Sequence, residues 1–370
     1  MTQSPASSLK QTEPHSVDPG SDPGVQQCGS GWLTPDVAEQ AARNVADLLA
    51  MAIEYAPPQR ALVVYDERCG LNRALTAAYR RALPDGRFID FDTVAPEEVL
   101  AAFAELGQHD LVVLSQSTSF RLEAFRIRIE LFKRGLKVIE HVHLSRMPGE
   151  QGLHYIASLA YDPAYYRGVG RALKARIDAA RSAVLDSGEG ALLRFDSPLE
   201  PAKLNIGDYS GMNNVGGQFP IGEVFTEAQD LEAVSGKVRV FVFGDTSFHV
   251  NHPARPITMV VERGRVTGAI DSTPEFDNML AIIRAHEGEV WLRELGFGMN
   301  RAFSRSCLVN DIGTFERMCG IHLSLGAKHG QYQKPQFKRK DARYHVDVFA
   351  VTEAVWLDQE TVYRDGAWRV

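Results

Sequence analysis

The chain has 370 residues, 44% hydrophobic and 24% charged, which is enough apolar material for two cores of ordinary size. Its formal net charge of -7 argues against a general nucleic-acid binder, whose surface is normally basic where it meets phosphate. No apolar run approaches the roughly 18 to 20 residues of a membrane span, and Cys28, Cys69, Cys307 and Cys319 form no CxxC pair, so neither a disulfide framework nor a thiolate zinc site is indicated.

Residues 1–31 are rich in Ser, Pro, Gly and Gln and lack the apolar centre of a signal peptide, so they read as a disordered tail on a cytoplasmic protein. Order begins at Trp32-Leu33-Thr34-Pro35. Thr34 can cap a helix, Pro35 suits its first position, and Val37, Ala41, Val45, Leu48 and Leu49 follow at helical spacing until Pro57-Pro58. Strands then alternate with helices: ALVVYD at 61–66, RFIDF at 87–91, DLVVLS at 110–115 and LKVIE at 136–140, separated by LNRALTAAYRRAL, APEEVLAAFAEL and RLEAFRIRIELFKRG. Short apolar strands between amphipathic helices imply a parallel sheet covered on both faces. Neither GxGxxG nor GxxxxGK[ST] follows any of these strands, so a nucleotide cofactor is not supported. Gly168-Val169-Gly170 falls inside a helical pattern and reads as an irregularity in it.

From about Ala191 the pattern changes to short alternating strands with glycine turns: ALLRF, KVRVFVFGD, PITMVVERGRVTGAI, EVWLRELGFG, GIHLSLG and YHVDVFAV, with ERGRV a hairpin turn. The expected organisation is an α/β domain with a parallel sheet over 32–190, followed by an α+β metal-binding domain over 191–370, rich in antiparallel strands.

The second half holds the residues suited to chemistry. His345 and Asp347 in YHVDVF are two apart, so in a strand they leave the same face with Cα atoms about 6.7 Å apart and can reach one ion. In GIHLSLG, His322 lies opposite the face of Ile321, Leu323 and Leu325. Taken singly, each histidine reads more simply as a hydrogen-bonded, partly buried side chain. Glu223 follows a Gly/Pro-rich approach in GGQFPIGEVFT, and Glu294 precedes an expected Gly-x-Gly turn in WLRELGFGMN; a lone carboxylate in either place is most often a surface group. Together Glu223, Glu294, His322, His345 and Asp347 form an oxygen-and-imidazole set without thiolates, suited to Zn, Mn, Co or Fe(II). Five candidates exceed one tetrahedral site, and two divalent ions sharing a carboxylate would use them all.

These segments resemble the aminopeptidase T, or thermophilic-type, metalloaminopeptidase family. PIGEVFT with Glu223, ELGFGMN with Glu294, HLSLG with His322 and HVDVF with His345 and Asp347 are similar, in the same order, to the family's metal-binding segments. The resemblance covers roughly residues 35–352 in architecture, and its specific residues lie within 219–349. It implies a metal-dependent hydrolase and a homodimer. Family members carry a tyrosine seven residues beyond the first histidine, where this chain has His329; that residue is then an added ligand, a proton donor or a plain loop residue, with Tyr332 a candidate to replace the phenol. The same fold family is similar to dihydroxypyridine ring-cleaving dioxygenases, which use one iron, a His-His-carboxylate set and a histidine in place of Glu294.

The expected reaction is cleavage of an amide or peptide bond by a metal-activated water. Glu223 or Glu294 acts as ligand or general base, and His329 is a third candidate catalytic group. The substrate is a peptide or small-molecule amide, with neither nucleic acid nor membrane as a partner. The basic loop at 326–342, with Lys338 and the adjoining Arg343 among its cations, either holds a substrate carboxylate or is a solvated hairpin tip. Two other classes stay open: a mononuclear Fe(II) ring-cleaving dioxygenase and a non-catalytic, peptide-binding relative.

Overall fold

The computed structural model describes residues 32–120, 122, 127–338 and 340–370; the expected tail, Cys28, most of the start of the expected helix at 121–135, and Arg339 lie outside them. Helix Pro35–Asp47 opens as its sequence predicts, with Thr34 Oγ1 accepting from the Val37 N–H at 3.4 Å and Pro35 in the first turn, and runs on into one π-helical turn, Leu48–Ala52. Helix Pro163–Ala179 runs unbroken through Gly168 and Gly170. The expected irregularity there is absent: a Cβ on Gly170 would lie 2.5 Å from Ile206 Cγ2, so the glycine serves close packing, not a bend.

Five strands form a parallel sheet in the order Arg87–Asp90, Ala61–Tyr65, Leu111–Ser115, Lys137–His141, Gly216–Gln218. Alternate side chains of its central strands enter two apolar clusters. Leu62, Val64, Val112 and Leu114 pack with Val99 and Phe103 on one face, while Val63, Leu111 and Val113 pack with Val45, Leu75 and Tyr79 on the other. The second cluster continues without a break to Phe297, Leu323 and Val348, so one core is shared by both halves of the chain. Chain order and sheet membership also cross. Ala183–Asp186 pairs with Leu192–Phe195 in the antiparallel sheet, so the expected boundary at 190 falls within a hairpin, and Gly216–Gln218 returns to the parallel sheet. Gly216 fits there because a Cβ would lie 1.9 Å from the Val138 carbonyl oxygen.

The antiparallel sheet contains the expected hairpin, Ile257–Glu262 with Arg265–Ile270. Its two turn residues, Arg263 and Gly264, both have positive φ (50° and 74°), as a type I′ turn requires. Within this sheet Val346–Ala350, Gly320–Leu325, Leu292–Gly298 and Glu223–Glu227 are successive neighbours, so four segments scattered along the second half of the chain lie side by side. Among the described residues no helix is long and apolar enough to cross a membrane.

The loop after Gly320–Leu325 is fixed by buried cations. Arg293 is buried; its Nε is 2.5 Å from Glu227 Oε2, its other nitrogens donate to the carbonyls of Ala327 and Tyr332, and its guanidinium lies 4.5 Å from the centre of the Phe337 ring. Lys334, buried as well, donates to Glu200 Oε1 at 2.5 Å and lies 3.5 Å from Glu227 Oε1. Of the loop's cations Lys334 is thus buried and anchors the segment, whereas Lys328, Lys338, Lys340 and Arg343 are exposed. Breaking a buried, hydrogen-bonded ion pair by removing one partner costs about 3–5 kcal/mol. Arg293→Ala is expected to lower stability by about that amount and to expose the 326–343 segment to limited proteolysis, read by urea unfolding and by the time course of cleavage.

Candidate metal centre

The four neighbouring strands each contribute one acidic or imidazole side chain to the same face. Register places His322 opposite Gly296, Asp347 opposite Ser324, and Glu223 opposite Gly298. The Leu292–Gly298 strand has a bulge between Leu292 and Leu295, where Glu294 lies with its N–H donating to Ser324 Oγ at 3.1 Å. Gly296 and Gly298 stand within this strand and form no turn, contrary to the expectation from sequence. A Cβ on Gly296 would lie 2.0 Å from His322 Cε1, so the imidazole lies across the strand where a side chain would be; at Gly298 the carbonyl of Met318 comes equally close.

Ligand atoms of Glu223, Glu294 and His322 come within 4.8 Å of one another, and all three residues are buried. His322 Nε2 is 3.2 Å from Glu223 Oε1 and 3.2 Å from Glu294 Oε1, while its Nδ1 is buried without a partner. One N–H cannot serve two carboxylates well, and the point between them calls for a cation that both oxygens and the ring nitrogen can face.

His345 and Asp347 come together, but as an adjoining pair. His345 Nε2 lies 3.1 Å from Asp347 Oδ1, off the line of a hydrogen bond, and Asp347 Oδ1 is buried with no hydrogen-bond partner. His345 Nδ1 donates to the Lys328 carbonyl at 3.1 Å, which leaves Nε2 as the nitrogen turned toward Asp347.

His329 has a different task. The backbone N–H groups of Gln331 and Tyr332 point at its Nδ1, at 3.1 and 3.3 Å, which puts the ring proton on Nε2; that proton is donated to Glu294 Oε2 at 2.8 Å. Here His329 orients a carboxylate and offers no lone pair to an ion. Tyr332 is buried, and its hydroxyl donates to the Pro201 carbonyl at 2.8 Å, so its phenol is committed to a backbone carbonyl instead of replacing the missing tyrosine at the site. Lys338 and Arg343 stand at the surface, and Lys338 lines a separate cleft with Glu287, Trp291, Phe337 and Asp341.

Two charged neighbours carry no signal in the sequence. Arg317 is buried with Nη1 3.4 Å from Glu223 Oε2, and it also pairs with Glu316. Asp311 fixes the segment that carries both: its Oδ1 accepts from the Thr314 N–H at 3.0 Å, while Oδ2 meets His143 and Arg146 of the first half of the chain. An adjacent Glu-Arg pair in a loop has no periodicity, so nothing in the sequence separates it from an exposed pair.

The charges are strongly coupled. Burial opposes ionisation of Glu294, yet hydrogen bonds from His322 and His329 hold its carboxyl well below the usual range. Burial likewise opposes a charge on His322, but Glu223 and Glu294 push it well above the ordinary imidazole value. For His345, the charge of Asp347 outweighs burial and pushes it up to about 10. Burial, with Asp347 and Glu223 adding to it against the opposing pull of Arg317, drives Glu316 well above the carboxylate range.

No family model and no curated protein matches the sequence. Solved structures share its fold, among them the following two. A 2,5-dihydroxypyridine dioxygenase from Pseudomonas putida KT2440 superposes with a TM-score of 0.58 at 17% identity, covering 90% of this chain and 97% of its own. Wild-type AmpT from Thermus thermophilus superposes with a TM-score of 0.54 at 15% identity, covering 90% of this chain and 99% of its own.

Two outcomes follow from this geometry. Gly296→Ala is expected to displace the His322 ring and lower divalent-metal affinity at least ~10-fold while leaving far-UV circular dichroism unchanged, measured by calorimetric titration with Zn2+. A folded imidazole raised from 6.5 to about 10 stabilises the metal-free protein fully below pH 6.5 and loses that contribution as pH rises through about 10. Urea midpoints of the chelated protein should therefore fall between those pH values, and metal binding within this window should release protons, measured in buffers of different ionisation enthalpy.

Proposed function

We propose that the chain is a metal-dependent hydrolase that cleaves an amide or peptide bond. The observation that carries this reading is the buried convergence of Glu223, Glu294 and His322 within 4.8 Å. The donor set fits a divalent cation: two carboxylates face one imidazole nitrogen, and Asp347 leaves a buried oxygen without a hydrogen bond beside them. A Zn, Mn or Co ion bound there would supply Lewis acidity, polarising a carbonyl and making water more acidic.

The chain's own groups supply the remaining requirements. His329 Nε2–H holds Glu294 in one orientation, and the Lys328 carbonyl turns His345 so that Nε2 faces Asp347. One of the two glutamates would serve as general base, taking a proton from the attacking water and passing it to the leaving amine. Burial of the set keeps bulk water away from these charges and strengthens their interactions. The four-segment resemblance to the aminopeptidase T family adds support, because its segments lie on adjoining strands and not merely in sequence order.

The converging set also weighs against the ring-cleaving reading. Fe(II) oxygenases commonly use two histidines and one carboxylate with open positions, whereas the set here has two carboxylates and one histidine. Elemental analysis of the untagged protein, paired with assays on unblocked dipeptides and aminoacyl anilides, tests the proposal. A divalent metal and amide cleavage are expected, with both lost in Glu294→Ala. Iron with oxygen uptake on dihydroxypyridines would replace it with the oxygenase, and a metal-loaded protein that binds these substrates uncut would make it a binding relative.

A further inference from the structure

The loop between Gly320–Leu325 and Val346–Ala350 presents His329 to Glu294 and the Lys328 carbonyl to His345. Strand pairing ends at Leu325 and Val346. Beyond that point both chains still carry backbone N–H groups that need acceptors. Three of them meet one side chain, Glu287, the last residue of helix Pro274–Glu287. Its Oε2 accepts from the Ala327 N–H at 2.7 Å, and its Oε1 accepts from the N–H groups of Arg343 and Tyr344 at 2.6 and 2.8 Å. A single carboxylate thus joins the two ends of the loop, through bonds about twice as strong as those between neutral groups. Among the described residues no cation pairs with Glu287, whereas nearby Glu289 bonds to Arg265 Nε at 2.7 Å and to nothing in the loop.

From this clasp the contacts run without a gap to the candidate donors. Ala327 is held on both sides, its N–H by Glu287 and its carbonyl by Arg293. The next N–H, that of Lys328, donates to the Tyr344 carbonyl at 2.9 Å, and the Lys328 carbonyl accepts from His345 Nδ1. His329 follows directly and donates to Glu294. Gly326, with φ of 106°, permits the close approach, because a Cβ there would lie 2.4 Å from the Tyr344 carbonyl oxygen. Glu287 itself is half-buried and bonds to none of the five candidate ligands, so its influence on them passes through the loop.

We propose that Glu287 is a positioning residue for the metal centre: by clasping Ala327 to Arg343 and Tyr344, it fixes the Lys328 carbonyl on His345 and His329 on Glu294. This rests on the metal-dependent reading above. Groups that orient metal ligands from outside commonly change metal affinity 10- to 100-fold when removed. In Glu287→Gln one oxygen becomes an NH2 donor. Whichever way that amide turns, it can accept from Ala327 or from the Arg343–Tyr344 pair, but not from both, so the clasp opens at one end.

The test compares the full chain with Glu287→Gln and with Glu289→Gln, which removes the same charge from the same cleft without touching the clasp. Three quantities are measured: Zn2+ affinity by calorimetric titration, the visible spectrum at saturating Co2+, and hydrogen exchange of peptides spanning 326–345 in the chelated protein. Glu287→Gln is expected to bind Zn2+ about 10-fold more weakly, to shift the Co2+ bands and to exchange faster over 326–345. Glu289→Gln should match the wild type in all three. The Co2+ spectrum is decisive, because at saturation a loss of stability alone leaves the bands of the folded protein in place. Faster exchange with unchanged affinity and bands would overturn the inference, showing that the clasp holds the loop without positioning the centre. Unchanged exchange would overturn it too, since the clasp would not then depend on Glu287. A wild type that takes neither ion would overturn the metal-dependent reading and this inference with it. None of these readouts uses turnover, so they decide the role of Glu287 even where no amide is cleaved. If circular dichroism shows Glu287→Gln unfolded, Glu287→Asp, whose shorter carboxylate cannot span both ends, carries the same comparison.

Discussion

Glu223, Glu294 and Asp347 are buried together on one face of one sheet, and the rest of the site answers to that fact. A carboxylate removed from water costs several kcal/mol unless something positive or proton-bearing meets it, and three close together also repel. The chain brings His322 between two of them, His329 behind one, Arg317 behind another and His345 against the third. Such a cluster costs stability compared with an apolar core of equal volume. A site of this kind makes physical sense when a ligand offsets the cost, and a metal ion is the ligand these donors suit.

Space had to be arranged as carefully as charge. An imidazole cannot approach a carboxylate across a strand if side chains intervene, and Gly296 removes the one that would. Gly298 admits the backbone that leads to Arg317, and Gly222, with φ of 121°, brings the chain past Tyr166 and the Asn300 N–H just before Glu223. The bulge at Glu294 adds the residue by which its carboxylate and the buried Arg293 can both find partners. The glycines of PIGEVFT and ELGFGMN are therefore part of the ligand geometry.

Much of this arrangement is legible in the amino-acid sequence. Runs such as ALVVYD and DLVVLS announce buried parallel strands, ERGRV announces its turn, and the four segments with Glu223, Glu294, His322 and Asp347 become neighbours. Where the sequence misleads, the reason is that its signal is local. Gly-x-Gly reads as a turn, because only the opposing His322 reveals why a strand would lack side chains there. Three residues, Gly216–Gln218, carry no pattern that could place them in a sheet formed mainly by the other half of the chain. The proton position on His329 depends on two backbone N–H groups in its own loop, and Glu316-Arg317 has no periodicity at all.

The shared core explains why the two halves are not independent modules around this centre. Asn300, at the end of the ELGFGMN segment, donates through its side chain to the carbonyls of Ser158 and Ile221, tying the first half to the approach to Glu223. Asp311 ties the Arg317 segment to His143 and Arg146, so the parallel half supplies the anchors and the antiparallel half supplies the donors. Arg293 and Lys334 hold the loop that brings His329 to Glu294 and the Lys328 carbonyl to His345. Glu223, Glu294, His322 and His345 are each thus held by a neighbour that belongs to another segment. That is the condition for a site whose geometry is set before its ligand arrives, because the ordering is completed when the chain folds and need not be completed on binding.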